Sequence, residues 1–100
     1  MHALHWTAYT GHLRFSALQE VEKIINQYGF IANFKEFSDL TINIEIEIEP
    51  SKIEGLHKAL SDYLTIDEPV EIGNLSTIYL NLTFGAGTGD LKIPVPEVPG

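Results

Sequence analysis

Residues 40–49 read LTINIEIEIE, and no other stretch of this chain restricts its fold as tightly. Ile42, Ile44, Ile46 and Ile48 alternate with Asn43, Glu45, Glu47 and Glu49. Successive side chains of a strand point to opposite faces. As a strand the segment has one isoleucine face and one polar, mostly acidic face. As a helix it would scatter its isoleucines around the axis. The pattern therefore predicts a sheet with one packed face and one face open to water or a partner. Pro50 ends the strand, because proline cannot donate to a ladder.

The flanking segments supply partners for that strand. Leu4 to Thr10 reads as a first strand, with Leu4, Trp6 and Ala8 on one face and His5, Thr7 and Tyr9 on the other. Ala17, Leu18, Val21, Ile24, Ile25 and Tyr28 recur at helical spacing. Ser16 and Gln19 fit a capping box at the start of that helix, and Gly29 fits a stop at its end. Phe30 to Phe37 reads as a second strand whose Phe30, Ala32 and Phe34 join the isoleucine face. Register then requires an odd-length turn near Ser38-Asp39, or a bulge, so that Phe34 meets Ile42 or Ile44. Ser51 and Glu54 fit a second capping box, followed by Ile53, Leu56, Leu60 and Leu64 at helical spacing, the helix ending near Leu64. Gly55 weakens this helix by roughly 1 kcal/mol relative to alanine. A connection from Thr65 to Leu75, with a brief extended piece at Val70 and Ile72, leads to a last strand over Ser76–Phe84. In that strand Ile78, Leu80, Leu82 and Phe84 alternate with Thr77, Tyr79, Asn81 and Thr83.

The order is β-α-β-β-α-β. It resembles the ferredoxin-like split βαβ architecture, an α+β two-layer sandwich with an antiparallel four-stranded sheet. Two right-handed crossovers would put both helices on the isoleucine face. Residues 1–89 are read as one domain, and residues 90–100, with Pro94, Pro96 and Pro99, as an extended tail. The predicted core is Trp6, Leu18, Val21, Ile25, Phe34, Ile42, Ile44, Ile46, Leu56, Leu60, Ile78, Leu80 and Leu82.

Composition narrows the function. A formal net charge of −8 disfavours nucleic acid and anionic membrane surfaces, both of which need a basic patch. No cysteine is present, which excludes disulfides, thiolate catalysis and Cys-type metal sites. The opening MHALHWTAYTGHLR lacks the basic and apolar regions of a signal peptide, and no apolar run approaches the ~20 residues of a membrane span. The expectation is a soluble, cytoplasmic protein.

No motif specifies a reaction. Glu45, Glu47 and Glu49 step along one strand face at ~6.8 Å and diverge from any single point, so a solvated face outweighs a cation site. His2, His5, His12 and His57 show no metal-ligand spacing, and no nucleophile accompanies a histidine base. Gly85, Gly87 and Gly89 form GxGxG, but three prolines follow where a phosphate loop needs a helix. They read as a hinge. Leu91, Ile93, Val95 and Val98 make the tail apolar enough to dock somewhere. No metal or cofactor is expected.

The uncovered sheet face is the candidate site. Thr7, Tyr9, Asn43, Tyr79, Asn81 and Thr83 share it with Glu45, and tyrosine in particular suits an interface. The expected function is a non-enzymatic interaction or assembly domain, homodimeric through this face, an edge or the tail. The alternatives are a small-ligand-binding regulatory module and, less favoured, a cofactor-free enzyme using His5, His57 or Tyr79.

Overall fold

The computed structural model describes residues 3–70 and 73–85. The tail, most of the glycine-rich segment, Ile72 and His2 therefore lie outside the described residues. Among the described residues five strands form one mixed sheet: β1 (Leu4–Thr10), β2 (Gly29–Glu36), β3 (Thr41–Ile48), β4 (Thr65–Ile66) and β5 (Thr77–Phe84). Two helices, α1 (Arg14–Tyr28) and α2 (Ile53–Ser61), cover one face. A 3₁₀ turn over Pro50–Lys52 leads into α2.

The strand order is β2-β3-β5-β1-β4. The expected ferredoxin-like, all-antiparallel sheet of four strands is thereby corrected. β5 lies in the middle, antiparallel to β3 and parallel to β1. The two-residue β4 takes the edge beside β1 instead. Burial accounts for the exchange. Ile78, Leu80, Leu82 and Phe84 all need cover, and a central strand receives it from neighbours on both sides. Thr65-Ile66 has little to bury and can serve as an edge.

The isoleucine face is the core. Ile42, Ile44, Ile46 and Ile48 lie buried against Ala17, Val21, Ile24 and Ile25 of α1 and Ile53, Leu56 and Leu60 of α2. Trp6 and Ala8 of β1 and the four apolar residues of β5 complete it. Two members of the predicted core differ. Leu18 is half-buried, and Phe34 remains 47% exposed, because β2 is an edge strand at the rim of the helical layer.

Register explains more of β2. Phe34 pairs with Ile44, as an odd count of turn residues requires. A bulge at Ala32 then shifts the first half of the strand, so that Ile31 pairs with Ile46 and Phe30 with Glu47. Ile31, not Phe30, therefore faces the core. The bulge reconciles two apolar residues whose spacing is odd.

Neither helix uses its predicted cap. α1 begins at Arg14, with Leu13 as its N-cap and no side-chain cap, so Ser16 lies inside the helix. Arg14 is held from outside: its guanidinium donates to the carbonyls of Ser38 and Asp39, pairs with Glu36 and sits 5.4 Å from the Phe84 ring centre. Ser51 falls within the 3₁₀ turn, where Pro50 presets the backbone.

Two glycines are close-approach positions. Gly29 follows α1 directly and starts β2 without a loop; a Cβ there would clash with the Glu47 carbonyl oxygen. A Cβ on Gly55 would lie 2.8 Å from the Tyr28 ring. The glycine that weakens α2 by propensity is the one that lets α1 and α2 approach.

Candidate functional site

The polar residues of β1, β5 and β3 lie on the face away from the helices, in rows set by the register. His5 pairs with Tyr79 and Tyr79 with Glu45; Thr7 pairs with Asn81 and Asn81 with Asn43; Tyr9 pairs with Thr83 and Thr83 with Thr41. The six residues expected to share the open face, Thr7, Tyr9, Asn43, Tyr79, Asn81 and Thr83, are thus brought together. No helix among the described residues covers them. They divide between exposed and half-buried, as neighbours that shade one another do.

Their contacts make this face firm rather than empty. The His5 and Tyr79 rings stack with centres 5.3 Å apart. Asn43 Nδ2 donates to Asn81 Oδ1 at 3.5 Å. Thr77 Oγ1 donates to the Glu47 carboxylate at 3.1 and 3.2 Å. Tyr9 is 44% exposed and stands beside Asp67. The Asp67 charge, with a hydrogen bond to it, raises the Tyr9 phenol above its usual pKa, and slight burial and Glu68 add to the effect.

The β1 edge is closed by the chain itself. β4 pairs with Ala8 and Tyr9. Beyond it, the Asp67 N–H donates to the Thr7 carbonyl at 2.9 Å, and the Thr7 N–H donates to Glu68 Oε1 at 2.6 Å. His57 of α2 holds this strap from beneath, with Nε2 2.8 Å from the Glu68 carbonyl and its ring edge-on to Trp6.

The β2 edge has no strand beyond it among the described residues. Phe34, Phe37 and Leu40 are exposed there, as are Leu13 and Phe15 at the start of α1. A groove of about 410 Å³ runs between α1 and β2, lined by Leu18, Glu22, Ile31, Phe34 and Ile44. The sequence reading missed this region. Its signal was Leu13 and Phe15, which stand outside the apolar stripe of α1.

The catalytic alternative gains no geometry. His5 and Tyr79 lie on the open face, whereas His57 packs against Trp6 on the helical side, so the three do not converge. His12 stacks on Tyr63 with ring centres 4.4 Å apart. Among the described residues no three His, Asp or Glu side chains gather as a metal site, and no helix is long and apolar enough to cross a membrane. No protein-family model, curated protein or solved structure matches this chain.

Proposed function

We propose that the chain is a non-enzymatic assembly domain that pairs with a second copy through its uncovered sheet face. The observation that carries the reading is the contiguous polar-aromatic surface of Thr7, Tyr9, Asn43, Tyr79, Asn81 and Thr83, which no helix of the described residues covers. A twofold pairing would use this patch on both subunits. A stable one needs at least ~1,000 Å² of buried surface in total. Tyr79 supplies apolar area with a polar tip on the central strand β5, and Tyr9 adds the same beside β4. Glu45 and Glu47 belong toward the rim, where like charges stay hydrated. Net charge of −8 argues against nucleic acid and anionic membranes as partners, and a cytoplasmic location fits this reading.

Sedimentation equilibrium at tens of micromolar should give twice the chain mass. A Tyr79→Arg, Asn81→Arg variant should fall to the monomer mass while keeping its cooperative unfolding. A monomeric mass for the intact chain would remove the dimer.

One observation favours a second reading, a small-ligand regulatory module. The groove between α1 and β2 lies in the size range of ligand pockets. Its lining holds one polar side chain, Glu22, where such pockets usually gather several.

A further inference from the structure

The two edges of the sheet are treated differently. The β1 edge is closed by β4, Asp67 and Glu68. The β2 edge is long and bordered by exposed apolar side chains, the kind of edge that natural proteins cover or blunt. We propose that it is covered by this chain's own C-terminal segment, with residues 90–95 adding as a strand beside β2 and seating Leu91, Ile93 and Val95 against the groove. This surface is separate from the sheet face of the dimer reading.

Where the chain leaves the sheet sets the first argument. β2 and β5 are both antiparallel to β3 and so run in one direction. The last described residues therefore finish at the end of the sheet where β2 finishes. There the Phe84 N–H donates to the Leu40 carbonyl at 2.8 Å. A chain turning back from this end would run antiparallel to β2. Reaching the far side of β2 from β5 means crossing three strand spacings, about 14 Å. Residues 85–89, Gly-Ala-Gly-Thr-Gly, span up to about 17 Å when extended.

The second argument is parity. Phe37 N–H donates to the Thr41 carbonyl, so Phe37, Lys35 and Asn33 turn their backbone groups toward β3. Phe34 and Glu36 turn theirs outward. Consistent with this, the Phe34 N–H is met by its neighbour's side chain, Asn33 Oδ1 at 2.9 Å, rather than by the ladder. A strand opposite Phe34 and Glu36 needs alternate residues that offer N–H groups to β2 and apolar side chains to the groove. Leu91, Ile93 and Val95 do both. Pro94 and Pro96 occupy the other parity, where the missing N–H would point to solvent.

Amide exchange at Glu36, followed by NMR, tests the assignment on the intact chain, a chain ending at Gly85, and the variants Ile93→Pro and Lys92→Pro. Glu36 should exchange slower in the intact chain by on the order of tenfold, the effect of one net hydrogen bond. Ile93→Pro should exchange as the shortened chain does, and Lys92→Pro as the intact one. Equal exchange at Glu36 in the intact and shortened chains overturns the proposal. So does an equal effect of the two proline variants, which keeps the test alive should the shortened chain not fold. Protection that disappears on dilution assigns the strand to a second copy and overturns docking within one chain. The mass measured on the same samples reports the dimer separately: a monomer with Glu36 protected removes only the sheet-face pairing.

Discussion

Replacing Gly55 by alanine sets two effects of opposite sign against each other, and the structure says how to separate them. Alanine favours a helix by about 1 kcal/mol over glycine. Its Cβ, however, would lie 2.8 Å from Tyr28 Cε1 and 3.3 Å from Cδ1. Carbon atoms rest at about 3.5–4.0 Å, so the ring must retreat by ~0.7 Å or more. Overpacking of this kind costs about 1–3 kcal/mol. Gly55→Ala alone should therefore lie between neutral and about 2 kcal/mol destabilising. In a Tyr28→Ala background the obstacle is gone, and the same change should stabilise by about 1 kcal/mol. Urea unfolding of the four chains, extrapolated linearly to water, gives the coupling between the sites, expected at about 1–3 kcal/mol. Equal effects of Gly55→Ala in both backgrounds, within ~0.5 kcal/mol, would refute the claim that this glycine exists to admit Tyr28.

Ile44→Ala should lower stability by roughly 2–5 kcal/mol, since Ile44 is buried in the central layer; an unchanged melting temperature would show β3 misplaced. Glu47→Gln should change it by under ~0.5 kcal/mol, because glutamine can still accept from Thr77; a loss as large as that of Ile44→Ala would place Glu47 inside. Asp67→Asn should bring the Tyr9 phenol back down toward its ordinary value, read by ultraviolet titration of tyrosinate. The raised value favours protonated Tyr9 in the fold. Its contribution to stability is complete below the unfolded pKa and fades as pH rises through the folded one, so Asp67→Asn should flatten the pH dependence in that alkaline window. Calorimetric titration with calcium, magnesium, manganese and zinc should show no specific site of micromolar affinity; a stoichiometric site lost in Glu45→Gln, Glu47→Gln would replace the solvated-face reading.

Local pattern made much of this fold legible. The alternation of Ile42 to Ile48 places the core face, and the spacing from Ala17 to Ile25 places α1 on it. The open face was legible for the same reason, since period two assigns Thr7, Tyr9, Asn43, Tyr79, Asn81 and Thr83 once the strands are known. Strand order was not. The choice of centre or edge for β5 depends on contacts made far along the chain, which no local period encodes. The capping boxes at Ser16 and Ser51 were overridden, one by the anchoring of Arg14 to the Ser38–Asp39 turn, the other by Pro50. The bulge at Ala32 was anticipated only as one way to settle the register of Phe34. That it would turn Phe30 outward and Ile31 inward depended on its position, which the sequence does not mark.

The central place of β5 also governs when this protein can fold. A chain growing from its N-terminus makes that strand after every other element of the described residues. Until residue 84 is available, β3 has only the β2 hairpin to pair with, and β1 has only the two residues of β4. Joining β1 to β5 closes a loop from Leu4 to Ile78, 74 positions later. Loop closure of that length costs roughly 4 kcal/mol in chain entropy before any contact offsets it. Such distant pairing slows folding and leaves the isoleucine strand uncovered meanwhile. On a ribosome, the sheet would assemble in one late event rather than strand by strand. The acidic residues interleaved with those isoleucines would then act as a guard against self-association while the chain waits for β5.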